Sequence, residues 1–203
     1  MRKALSRRTL LLAAGTGAAG AVAGASLAGP RAASDDLEPT VADIGFCTDM
    51  TAHHIQALAM CHRVLGRDTG DPVQAAATEV LQTQAIEIGT MRAWLTDWGA
   101  TTASPETTMA WMGMSDGAGV PFSMMPGLAS DEEMRALSLA EGLDRGRLWI
   151  ELMRTHHVGG VDMAKAAIEL VGAEKVRRLA RIQVDVQTYE IEQYDQLLTT
   201  AYA

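Results

Sequence analysis

Aromatic residues are scarce, at 4% of the 203 residues. Sheets draw on aromatic and β-branched side chains, whereas the plentiful Ala, Leu and Met favour helix. Cysteine is nearly absent. Cys47 and Cys61 stand 14 positions apart, and on one helix that spacing separates them by about 21 Å, beyond disulfide reach. They are free buried thiols or metal ligands, and an oxidising compartment would favour the second role. The chain shows no nucleophile–base–acid set, no phosphate loop and no nucleotide fingerprint, which argues against hydrolysis and against an enzyme. It also lacks any Glu-x-x-His, the signature of dinuclear carboxylate bundles; a Met stands three residues before both His53 and His156.

The first 33 residues contain no acid. They read Met1-Arg-Lys-Ala-Leu-Ser-Arg7-Arg8, then an apolar run of Ala, Gly, Leu and Val. This pattern predicts a twin-arginine export signal, 1–33, and an extracytoplasmic or secreted protein. The run is too rich in Gly and Ala for a good membrane anchor, and it has no cysteine for lipidation. Cleavage could fall after Ala28 or near Ala33; residues 1–33 hold five of the 17 basic residues, so their loss leaves 12 against 25 acids, a formal net charge of −13. Such a surface disfavours nucleic acid and, once the signal is gone, membranes. It favours cations and is compatible with a homo-oligomer.

One window occurs twice. Phe46-Cys-Thr-Asp-Met50-Thr-Ala-His53-His54, followed by Met60, corresponds to Trp149-Ile-Glu-Leu-Met153-Arg-Thr-His156-His157, followed by Met163, 103 positions on. The same offset carries Gln84, Glu87, Ile88 and Leu95 onto Gln187, Glu190, Ile191 and Leu198. Four of the five histidines lie in these windows; the fifth, His62, reads as an exposed helix-end residue.

Periodicity places a helix from about Ala42 to Leu65, ended by the Gly66–Pro72 turn. Asp71 is the expected N-cap and Pro72 the first helical residue of a helix running to about Trp98. Residues 100–142 form a connector rich in Gly and Met, with a capping box at Ser130–Glu133 that opens a short helix. Further helices follow near 144–171 and from about Ala173 to the C-terminus. The mature chain, 34–203, is thus expected to hold one repeat at 42–99 and a second at 143–201. Two such hairpins predict an all-α, four-helix bundle with a pseudo-twofold axis.

Projection at 100° per residue puts Met50, His54, Ala57 and Cys61 on one stripe, with Phe46, His53 and Met60 on the adjoining flank. Met153 and His157 share a stripe in the second copy, beside His156 and Met163. His54 and Glu87 are equidistant from the first turn, and His157 and Glu190 from the second, so each His-His pair should face the Gln-x-x-Glu of its own hairpin. The expected cluster in each half is Met, two His, Gln and Glu. Imidazole with thioether suits copper, Cu(I) above all; imidazole with carboxylate suits another divalent metal. The competing reading is structural: Glu orients a buried His, and Met fills the core. Met109, Met112, Met114, Met124 and Met125 in the connector either hold a soft ion or fold back as a cap.

At Met50-x-x-His53-His54-x-Gln56-Ala57-x-x-Met60 with Gln84-x-x-Glu87-Ile88, and at the second Met-x-x-His-His with Gln-x-x-Glu-Ile, the chain resembles the DUF305 family of exported, ferritin-like four-helix proteins. The resemblance covers nearly all of residues 42–198, including Met125-Pro-Gly127. Asp43 matches the family's aspartate, whereas the second copy has Gly146 there and Gly159-Gly160 in place of Gln56-Ala57. The resemblance implies extracytoplasmic copper binding as in some members. Met50, His53, His54, Met60, Met153, His156, His157 and Met163 are the candidate ligands, with Glu87 and Glu190 as ligands or orienters. The rivals are a non-catalytic helical interaction domain and a ferritin-like metal oxidoreductase.

Overall fold

The computed structural model describes residues 38–203; the expected export signal, 1–33, lies outside the described residues. Four long helices make the body of the protein: α1 (Val41–Val64), α2 (Asp71–Asp97), α4 (Gly142–Leu170) and α5 (Glu174–Thr199). The short α3 (Asp131–Leu139) ends the connector. The molecule is a four-helix bundle, and none of the described helices is long and apolar enough to cross a membrane.

Local sequence explains where each helix starts. Thr40 and Asp43 form a capping box on α1, and Ser130 and Glu133 form the expected one on α3. At α2 the expected cap is corrected: Gly70, at φ +85°, takes that position and Asp71 is the first helical residue. No side chain caps α2; Gln74 in its first turn holds the α1–α2 turn instead. Its carboxamide donates to Val64 O (2.8 Å) and Thr69 Oγ1 (2.6 Å) and accepts from Gly66 N.

The buried positions of α2 (Val73, Ala77, Val80, Gln84, Glu87, Met91, Leu95) and of α5 (Val176, Ala180, Gln183, Gln187, Tyr194) recur at helical spacing. Each helix therefore lays one stripe on its neighbour, α2 along α1 and α5 along α4, while α1 and α4 pack together at the centre. Two apolar clusters result. One joins Ala57, Met60, Cys61, Val64, Val73, Trp149, Met153 and Tyr194. The other joins Phe46, Cys47, Met50, Met91, Leu95, Met163, Ala167 and Val176. Each draws on all four long helices, and the polar residues of the duplicated windows lie along the chain between the two sets.

The connector is ordered as a cap. Thr107–Thr108 pairs antiparallel with Val120–Pro121, and three short 3-10 turns surround this pair. The protein is all-α as expected apart from this one small pair, whose two-residue strands are too short to carry a periodic signal. Met109 and Met125 are buried in the second cluster, and Met112 and Met114 pack against it, while Met124 is exposed.

Candidate functional site

The connector is fixed to α1 by two side chains. Asp49, buried, accepts from Met109 N (2.6 Å) and Trp111 Nε1 (2.9 Å). Gln56 exchanges two hydrogen bonds with the backbone of Ala129, at 2.8 and 2.7 Å. Between these anchors Pro126 and Gly127 pass over α4. A Cβ at Gly159 would overlap the Pro126 carbonyl, and one at Gly127 would lie 3.1 Å from His53 Nε2. The departure from Gln56-Ala57 in the second window thus has a packing cause: the chain crosses there.

Asp43 is a turn clamp. It accepts from Thr40 N (2.8 Å), from Ala173 N (2.9 Å) and from Gly172 N (3.3 Å), tying the start of α1 to the α4–α5 turn. At Gly146 a Cβ would stand 2.6 Å from Thr69 O in the opposite turn, and the hydroxyl of Tyr202 bonds that carbonyl instead.

The four histidines divide by position within each pair. His54 Nε2 meets Glu87 Oε2 at 2.7 Å, and His157 Nε2 meets Glu190 Oε2 at 2.7 Å. The expected pairing of each hairpin's second histidine with its own Glu is what the structure shows. The first histidines behave differently. His53 and His156 stack on one another with ring centroids 3.6 Å apart, and His156 Nε2 donates to His53 O at 3.0 Å. Adjacent helical residues point about 100° apart, so one histidine of each pair reaches α2 or α5 while the other reaches its counterpart across the α1–α4 contact. The expected set of two His, Gln and Glu within each half is corrected accordingly.

All four imidazoles are fully buried. Among the described residues, His53 Nδ1 and Nε2, and Nδ1 of His54, His156 and His157, have no hydrogen-bond partner. Burial, reinforced by the neighbouring imidazoles, holds His53 and His156 well below the ordinary histidine range. Both are neutral and able to offer a nitrogen lone pair.

The candidate methionines divide between the two apolar clusters. Met50 and Met163 lie in the one with Phe46, and Met60 and Met153 in the one with Trp149; all four are fully buried. Cys47 and Cys61 are free and buried, one in each cluster. Desolvation pushes the Cys47 thiol up, and desolvation with the nearby Glu190 raises Cys61 to about 12. Among the described residues no three His, Cys, Asp or Glu side chains converge as a ready-made metal cage. His62 is exposed.

Two polar residues escaped the sequence reading. Gln183 of α5 donates to Glu87 Oε2 at 2.9 Å and lies 3.4 Å from His54 Nε2, joining the two hairpins. It matches Val80 in the first copy, so the repeat gave no hint of it. Its place on the inner stripe of α5, four residues before Gln187, was the available signal. Asp49 matches Leu152 and was missed for the same reason.

A family model described as a domain of unknown function, DUF305, matches residues 43–198. No curated protein matches the chain. A DUF305 protein from Streptomyces coelicolor, described as secreted, is 39% identical with a TM-score of 0.71, over 78% of this chain and 92% of that one. A DUF305 fragment from Deinococcus radiodurans is 27% identical, with a TM-score of 0.67 over 80% and 99% of the two chains. CopM in its Cu(I)-bound form is 24% identical, with a TM-score of 0.61 over 79% and 98%, and shares the fold.

Proposed function

The chain belongs to the DUF305 family, and from that premise we propose that it is an exported protein that binds copper, Cu(I) above all, and buffers the ion or passes it on. The observation that carries this reading is the set of buried, unpartnered imidazole nitrogens at the centre of the bundle. Five of eight ring nitrogens are in that state, and an unmet buried polar atom costs about 1–3 kcal/mol. Such atoms are retained where an ion or water completes them. His53, His54, His156 and His157 supply the imidazoles, and Met50, Met60, Met153 and Met163 are thioether donors on the same two helices. Glu87 and Glu190 hold His54 and His157 by one nitrogen and leave the other free, the arrangement by which outer carboxylates orient ligating histidines. Neutral imidazole with thioether suits a soft monovalent ion.

CopM has been solved in Cu(I)-, Cu(II)- and Ag-bound forms, and its fold is the one described above. The secreted description of the Streptomyces coelicolor relative supports export; the Arg7-Arg8 pair and the apolar run after it are what suggest the twin-arginine route for residues 1–33. In this reading 34–203 is the mature domain, with repeats at 42–99 and 143–201 on either side of the connector.

The second reading is a helical interaction domain whose His–Glu pairs only fix packing, favoured by the 2.7 Å bonds that already engage His54 and His157. One experiment separates the two. The mature protein, purified without oxygen and loaded with Cu(I), is expected to retain at least one equivalent against a competing chelator. His54→Ala/His157→Ala and His53→Ala/His156→Ala are each expected to lower retention. A folded wild-type protein that keeps no copper would leave the structural reading standing; retention untouched in both variants would move the ion to the connector methionines.

A further inference from the structure

Helices α2 and α5 border a narrow cleft whose polar lining is Thr83, Gln84, Glu87, Gln183, Gln187 and Glu190. Among the described residues, several buried oxygens in this cleft meet no hydrogen-bond donor. The side-chain oxygens of Gln84, Gln183 and Gln187 are buried and unpartnered, in residues at most 3% exposed. For Gln183 the direction of the carboxamide is fixed, since its nitrogen donates to Glu87. Glu87 and Glu190 each commit only Oε2 to hydrogen bonds, leaving Oε1 free on both. Gln187 Oε1 rests against Gly160 of α4, where a Cβ would overlap it. Among the described residues no Lys or Arg lines the cleft.

The three carboxamide oxygens are buried carbonyls that lack a donor, and Oε1 of each neighbouring glutamate is available beside them, so the cleft is rich in acceptors that a cation would satisfy. The free volume is about 10 Å³, room for one small ion or one water and nothing larger. Oxygen-only donors select hard cations, and a gap this small suits the shorter bonds of Mg²⁺ or Mn²⁺ better than the larger shell of Ca²⁺. We propose that the α2–α5 cleft is a second cation site, for a hard divalent ion held by Glu87, Glu190, Gln84, Gln183 and Gln187. It shares Glu87 and Glu190, which hold His54 and His157, but its all-oxygen donor set is different in chemistry from the imidazole–thioether centre. The site does not depend on the copper reading.

The test uses copper-free mature protein with Mn²⁺ as the probe, followed by electron paramagnetic resonance and by broadening of NMR signals. One equivalent is expected to bind, and the Gln84, Gln183 and Gln187 carboxamide signals to broaden before any connector signal. Gln84→Leu/Gln187→Leu retains both Glu–His pairs and should weaken Mn²⁺ binding about tenfold or more, with Cu(I) retention unchanged. Absence of Mn²⁺ binding, or binding that leaves those carboxamide signals sharp, would overturn the proposal. The broadening is read on the wild-type protein, so the result stands even if the double variant misfolds. Failure of copper retention alone would leave this site intact.

Discussion

An imidazole buried without a partner is a poor place for a proton. His53 and His156 are held well below 6.5, first by burial and then by the neighbouring imidazoles. Below about pH 6.5 the unfolded chain therefore takes up protons that the folded protein refuses. Their contribution to stability is intact above that pH and is lost as the pH falls, by up to about 1.4 kcal/mol per pH unit for each histidine. The urea midpoint of copper-free protein, followed by circular dichroism, should drop steadily from pH 7 to pH 5; a flat profile would mean that these rings are not buried as neutral bases. Asp49 makes a second prediction at this scale. Asp49→Ala strands the Met109 amide and the Trp111 indole N–H, at a cost of about 1–3 kcal/mol each if they stay dry. Loss of stability should come with a red shift of tryptophan emission as Trp111 leaves its seat on Gly45.

Between elements, the decisive contacts are backbone against backbone. Gly159 lets the Pro126 carbonyl rest on α4. Gly159→Ala is expected to cost about 1–3 kcal/mol through overpacking and to make the connector susceptible to limited proteolysis near Pro126, while helix content stays unchanged. Equal resistance in variant and wild type would show that the connector is held elsewhere. The helices themselves were legible: apolar spacing, the Gly66–Pro72 turn and the Ser130–Glu133 box fix each of them within a few residues. The connector was not. Its order comes from Asp49 and Gln56, single polar residues inside a helix whose partners lie 60 and 73 positions away, and no local pattern announces a contact of that kind. Half of the candidate site was readable as well. Turn-centring placed His54 opposite Glu87 and His157 opposite Glu190, but the stacking of His53 on His156 depends on how α1 meets α4, which no single hairpin encodes.

For the molecule as a whole, each apolar cluster contains residues of both hairpins, so neither hairpin can leave without breaking both clusters. Unfolding should be a single cooperative event. Cys47 and Cys61, one in each cluster and both with raised thiol pKa values, report on it directly. Native protein should react negligibly with a thiol reagent at pH 8, and on denaturation both thiols should become reactive over the same denaturant range. Two separated transitions would mean that the ends of the bundle melt independently.

The seat that Gly159 provides for Pro126 bears on what can be exchanged between the two windows. Writing the first window into α4 would give two matching motifs, on paper a more perfect protein. The glutamine it brings to position 159 would have no space beneath the connector, the strap would stand off, and the stacked histidines under it would be wetted. The second copy is fitted to the covering of the first, as a socket is to its plug, and a variant built for symmetry would lose the closed chamber that both copies share.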